Sequence, residues 1–140
     1  MVRRLNLPRY TEGENLAYLT AIIEGEGCII FSPQHKGKTG YHQIRINISN
    51  TDLGIIDFCC DVLSDLNIRY SRYTQQPRGI SKKPLDHIEI CRKLECKYLL
   101  EKLLPYFHSI KKVKALEVIS YIEQNQYDIL GRKRNFKKRG

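Results

Sequence analysis

The chain has 140 residues, enough for one domain with a sizeable core and too few for a second. Apolar types at 41% and charged types at 28% exclude a wholly disordered chain, and no apolar run reaches the ~18 residues that a membrane span needs. Lys and Arg number 24 against 15 Asp and Glu, and the resulting net charge of +9 favours an anionic partner such as nucleic acid over a neutral one.

The opening residues MVRRLNLPRY hold no apolar stretch of the secretory kind, so an intracellular location, cytoplasmic or organellar, is expected, with no membrane partner. Cys28, Cys59, Cys60, Cys91 and Cys96 form no CxxC pair and are odd in number. That argues for buried free thiols in a reducing compartment and against a zinc site or a disulfide framework.

In chain order, Glu14 to Glu24 reads as a helix with Leu16, Leu19, Ile22 and Ile23 on its apolar side, ended by Gly25 and Gly27. Cys28 to Phe31 is β-prone, Pro33 to Gly40 is rich in turn formers, and Tyr41 to Ser49 alternates, so a hairpin is predicted. Its second strand sends Ile44, Ile46 and Ile48 to one face and Gln43, Arg45, Asn47 and Ser49 to the other. A helix from about Asp52 to Leu66 follows, with Ile56, Cys59, Leu63 and Leu66 in a stripe and Thr51 or Asn50 as its cap. Arg69 to Gln75 and Leu85 to Cys91 form a second predicted hairpin across the Pro77 to Pro84 loop. A helix from Leu94 to Leu104 stops at Pro105, and a last one from Ser109 to about Asn125 carries Ile110, Val113, Leu116, Ile119 and Ile122. The segment GRKRNFKKRG, residues 131–140, reads as a flexible basic tail.

The order helix, hairpin, helix, hairpin, helix defines a single α+β domain, αββαββα, with helices backing one side of a four-stranded, mostly antiparallel sheet. The opposite side would present Ser32, Gln34, Gln43, Arg45, Asn47, Tyr70, Arg72, Thr74, His87 and Glu89. Lys36 and Lys38 in the first connection, Tyr41 at the start of the strand after it, and Arg78 and Lys82 in the second connection extend that surface. Arg and amide groups can read base edges, so this face is predicted to bind nucleic acid; an ordinary solvated sheet face is the competing account.

The densest chemical signal is Ile22-Ile23-Glu24-Gly25-Glu26-Gly27-Cys28. A helix C-terminus carries partial negative charge, so two acids there lose free energy unless a metal ion or a basic neighbour compensates. Carbonyls freed at the helix end are oxygen ligands suited to Mg²⁺. Ala17, Ala21 and Gly25 are spaced by four and share a face on which two helices could meet almost backbone to backbone. A dinucleotide fingerprint fails, because the glycines follow a helix and Ile30 stands where the third should be. The four histidines, His35, His42, His87 and His108, are scattered and build no nucleophilic triad; His42 and His87 are expected to face nucleic acid or solvent.

Leu19-Thr20-Ala21-Ile22-Ile23-Glu24-Gly25-Glu26-Gly27 resembles the motif of the LAGLIDADG homing endonucleases, and the element order from about Asn15 to Glu123 is similar to that family's core. The resemblance implies that Glu26 binds a divalent cation, Mg²⁺ or alternatively Mn²⁺, with help from the Gly25 carbonyl. Glu stands where the family usually has Asp. It implies that Asn50 orders water near the metal and that Lys111 lies near the cleaved phosphate. The basic residue common just after the Asn50 position is absent, since Asp52, Leu53 and Gly54 follow. Only one motif copy occurs, so the resemblance implies a homodimer joined through Ala17, Ala21, Glu24 and Gly25. Such a dimer would cut a long, near-palindromic double-stranded DNA site to leave short 3′ overhangs. Competing expectations are an intron RNA maturase or a non-cleaving repressor of the same fold, and a small basic RNA-binding protein of another kind.

Overall fold

The structure is a computed structural model that describes residues 10–33, 42–80 and 83–139, with the side chains of residues 33 and 126–139 excepted. Gln34, Lys36, Lys38, Tyr41 and Lys82 of the predicted surface lie outside the described residues.

Helix α1 spans Glu12–Glu26, longer at both ends than the apolar pattern predicts. A capping box explains its start: the Thr11 hydroxyl accepts from the Glu14 N–H at 3.1 Å, and the Glu14 carboxylate accepts from the Thr11 N–H at 2.8 Å. Leu16, Leu19, Thr20 and Ile23 are buried, and the Thr20 hydroxyl donates to the Leu16 carbonyl at 2.7 Å, so the one polar group on the inner face is satisfied.

Gly27 is not a left-handed cap. It is extended, with φ −102° and ψ 176°, and opens strand β1 (Gly27–Pro33) with no intervening loop. A Cβ there would fall 2.9 Å from both Cα and the carbonyl oxygen of Ile23 and 3.2 Å from the Asn47 carbonyl oxygen, all of them backbone atoms. Gly27→Ala is therefore expected to lower stability by about 2 kcal/mol, a Tm fall of about 6 °C by thermal unfolding. An unchanged Tm would show that the turn can relax.

Strands β2 (His42–Asn50), β3 (Ser71–Gln75) and β4 (Leu85–Ile90) complete a sheet of order β1-β2-β4-β3 in which every neighbouring pair is antiparallel. Helices α2 (Leu53–Asp65) and α3 (Lys93–Leu103), a 3-10 turn (Leu104–Tyr106) and helix α4 (Lys111–Arg139) give the expected αββαββα order, with the last helix added. Ile44, Ile46, Ile48, Ile88 and Ile90 fill the inner side of the sheet and pack under Leu19, Ile23, Ile56, Leu63, Leu99, Leu100 and Ile122 in one core.

Several local expectations change. Asp52 caps α2, accepting from the Gly54 and Ile55 N–H groups at 2.9 and 3.4 Å, while Asn50 accepts from the Asp52 N–H at 2.8 Å. Helix α4 buries Ala115, Val118, Ile119 and Ile122 and leaves Val113 and Leu116 exposed, and Ile110, just before the helix, is 78% exposed. Steps of three residues turn backward by about 60° each, so the predicted stripe spirals off the core at its N-terminal end. The backbone of residues 131–139 continues helix α4, which runs to Arg139, where an irregular segment is predicted. Cys59, Cys60 and Cys96 are buried, and burial pushes the thiols of Cys59 and Cys96 up to about 12; Cys28 and Cys91 are exposed.

The largest correction is in β3. Its pairing sets Arg72 against Ile88 and Thr74 against Asp86, on the helix side of the sheet. Tyr70, half-buried just before the strand, packs against that core. The predicted outward residues Tyr70, Arg72 and Thr74 thus lie on the helix side of the sheet, where Arg72 and Thr74 are still exposed, because a shift of one residue exchanges the two faces of a strand. Arg72 binds Asp86 at 3.0 Å and Asp57 of α2 at 3.0 Å, and the Thr74 hydroxyl donates to Asp86 at 2.9 Å. Thr74 first and Arg72 next hold the Asp86 carboxyl below its ordinary value. A depressed folded-state value stabilises the fold above the unfolded value of about 3.9 and loses that contribution as pH falls through the folded one. Thr74→Val is therefore expected to flatten the acid loss of stability below about pH 4. Urea titrations at a series of pH values read this, and an acid limb as steep as wild type would reject the Asp86 assignment.

Candidate functional site

Two features stand together: the tip of α1 and the outward face of the sheet that begins there. Glu26 is exposed at the last turn of the helix. Its Oε1 accepts from Asn50 Nδ2 at 2.6 Å, and Asn50 lies at the end of β2, held in turn by the Asp52 N–H. The structure thus brings Glu26 and Asn50 together across 24 residues of chain. One such contact uses one of about four acceptor positions on a carboxylate.

Lys111 is the basic neighbour that an acidic helix end requires. Its Nζ donates to the carbonyls of Ile23 at 3.0 Å, Glu24 at 2.9 Å and Gly27 at 2.9 Å. An ammonium has three donors, so all of them are engaged by the end of α1. Lys111 accordingly neutralises the negative pole of the helix and fixes the turn into β1, rather than reaching outward as a phosphate ligand. The Gly25 carbonyl is not among its acceptors.

Glu24 is held within the chain too. Its Oε2 accepts from the N–H groups of His108 and Ser109, both at 2.6 Å, tying α1 to the start of α4. Desolvation opposes its ionisation, but the two N–H donors outweigh it and hold the carboxyl below its ordinary value. That engagement uses one oxygen of the Glu24 carboxylate, and the side chain stays partly exposed. Ala17, Ala21 and Gly25 remain exposed along one face of α1, and the position of a Cβ at Gly25 meets nothing within 4 Å.

On the sheet's outer face, Ser32 pairs with Gln43, Asn47 with Glu89, and Arg45 lies between them, as alternation predicts. Glu89 Oε2 is approached at 3.4 Å by each of Arg45 Nη1, Asn47 Nδ2 and the Tyr73 hydroxyl. Tyr73 stacks on His87 with centroids 4.6 Å apart and planes 12° apart, and His87 Nε2 lies 2.9 Å from Gln75 Oε1. Desolvation and then the Glu89 charge push the Tyr73 hydroxyl above its ordinary value, so it stays a donor. Tyr73 and Gln75, which sequence reasoning missed, replace Arg72 and Thr74 on this surface. Arg78 is exposed in the loop between β3 and β4. His42 departs from expectation: it turns inward, stacked on Phe31 at 4.7 Å and beside Tyr121 at 4.7 Å.

The antiparallel sheet of order β1-β2-β4-β3 with its helices is similar in fold to solved homing endonucleases. Similar solved structures include the homing endonuclease I-CvuI in complex with its target in the presence of calcium, with TM-score 0.58, 16% identity and 78% of this chain covered. The group I intron-encoded homing endonuclease I-CeuI complexed with DNA gives TM-score 0.54, 15% identity and 97% of this chain covered. The chain spans 66% of the length of each. No model of a known protein family matches the sequence, and no curated protein matches it. The LAGLIDADG-like fold expected from Leu19 to Gly27 is thus the fold found.

Proposed function

We propose that this chain is a site-specific, double-strand DNA endonuclease that works as a homodimer with a divalent cation, Mg²⁺ or Mn²⁺. The observation that carries this reading is the exposed Glu26 carboxylate at the tip of α1, anchored by Asn50 on the strand that also carries Arg45 and Asn47.

The donor set fits the ion. Mg²⁺ takes hard oxygen ligands, often one or two carboxylates together with substrate phosphates. Glu26 and the Gly25 carbonyl supply such oxygens. Among the described residues, no cluster of three His, Cys, Asp or Glu side chains is grouped to hold an ion within one chain. A site shared by two copies and two scissile phosphates needs only one such carboxylate from each. Bound there, the cation would supply Lewis acidity and an activated water for phosphodiester hydrolysis.

The chain's own residues do the rest. Asn50 holds Glu26 in one orientation, Lys111 keeps the turn beneath it rigid, and the outer sheet face lies along a DNA groove to set the register of the cut. Ala17, Ala21 and Gly25 form the contact between copies, and a two-fold axis there makes the target near-palindromic with short 3′ overhangs. Intron association follows the same reading, and intron RNA is a second partner to test. No helix among the described residues is long and apolar enough to cross a membrane, and an intracellular location suits a DNA substrate.

The test is incubation with a pooled library of DNA sites, with Mg²⁺ and with EDTA, followed by sequencing of the ends. Discrete, metal-dependent breaks with matched overhangs are expected. Enriched binding without breaks would move the reading to a repressor, and selective binding of intron RNA alone would move it to a maturase.

A further inference from the structure

We infer that Glu89 is a specificity-determining residue that acts through Arg45 and Asn47: it fixes how these two side chains present themselves to bases. The inference rests on the nuclease reading, since it concerns the same sheet face. Glu89 occupies the middle of that face, paired with Asn47 on β2 and with Ser71 on β3. Three donors from those two strands converge on one of its oxygens. Its side chain is only 19% exposed and that of Arg45 31%, so the cluster is partly withdrawn from water.

A carboxylate at this place is costly for a surface that merely attracts phosphate, because like charges repel. Two consequences follow from its chemistry. An ionised carboxylate only accepts, so it draws the Asn47 amino group toward itself and selects one of the two amide orientations. It also occupies a single donor of a guanidinium that has five, which ties Arg45 to the sheet and leaves a fixed fork for a base edge such as guanine O6 and N7. Without Glu89, the Asn47 amide can turn over and Arg45 is released toward the DNA backbone. Tyr73 adds the third donor from the edge strand, its ring braced on His87.

The experiment compares wild type, Glu89→Gln, Glu89→Ala, Arg45→Met and the Arg45→Met/Glu89→Gln double variant. Binding is measured on the site recovered from the library, on its single-base variants and on random DNA, over a range of salt. Glu89→Gln and Glu89→Ala are expected to lower discrimination about tenfold at the base pairs under Arg45 and Asn47. They should also raise affinity for random DNA, with a salt slope steeper by up to about 0.9 for the freed charge. In the Arg45→Met background, Glu89→Gln should leave the slope unchanged.

A base-preference profile unchanged in both Glu89 variants, or a uniform loss of affinity for every sequence, would overturn the inference. If those variants fail to fold, Tyr73→Phe removes one donor from the exposed edge and should relax the same positions by a smaller factor; an unaltered profile there would overturn it equally. A wild type that bound all DNA alike would sink the nuclease reading and this inference together. A selective wild type with equally selective Glu89 variants would sink this inference alone.

Discussion

Glu26→Gln is expected to abolish DNA cleavage while sparing DNA affinity. Gln keeps the shape of Glu and an oxygen that can still accept from Asn50 Nδ2, so the 2.6 Å contact that orients the side chain survives the change. What disappears is the charge. A neutral amide oxygen is a much weaker ligand for a hard dication, and the expected loss of rate is about a thousandfold or more, equivalent to about 4 kcal/mol of barrier. Binding should stay within about threefold, because affinity for nucleic acid comes largely from cationic contacts to phosphates, and Glu26 supplies none of these. Single-turnover cleavage and equilibrium binding on one duplex separate the two quantities. Cleavage at the wild-type rate would remove Glu26 from the site, and a parallel fall of binding and cutting would make it a structural residue. Asn50→Ala, which leaves the charge but frees the side chain, should fall between the two.

The element order was readable because the pattern is strong where burial is strong. Ile44, Ile46 and Ile48 alternate with polar residues, so the inner and outer faces of β2 were evident. In β3 every residue is exposed and polar or aromatic, so nothing in Ser71 to Gln75 marks which parity faces the core. Pairing with β4 decides it, through an Arg72, Asp86 and Asp57 cluster that no local pattern reveals. The helix end was legible in a similar, partial way. Two acids at a helix C-terminus called for compensation, and the sequence reading gave Lys111 a role at the cleaved phosphate. In the fold, Lys111 supplies the compensation itself, 88 residues from the Ile23 carbonyl that it binds. Long-range partners of this kind leave no spacing signature. The same holds for Glu24, whose partners, the His108 and Ser109 amides, are backbone groups and carry no residue identity at all.

The proposed interface between copies gives the second large effect. Ala21→Leu is expected to break the dimer and, through it, cleavage. Ala17, Ala21 and Gly25 lie exposed along α1 while Leu16, Leu19 and Ile23 on the other side are buried, so a side chain at 21 points away from the core of its own chain. Across a two-fold axis it meets its own copy. Overpacking a close helix contact costs about 1–3 kcal/mol at each substituted position, and symmetry counts it twice. The combined cost, about 3 kcal/mol, raises the dimer dissociation constant more than about a hundredfold. Sedimentation or light scattering at micromolar protein should therefore show the monomer mass, with thermal unfolding close to that of wild type diluted below its own dissociation constant. Double-strand breaks should vanish with the dimer, since in the proposed paired site each copy contributes one Glu26. A variant that still ran as a dimer and still cut both strands would place the contact between copies elsewhere on the molecule; a wild type that is monomeric at every concentration would remove the paired site altogether.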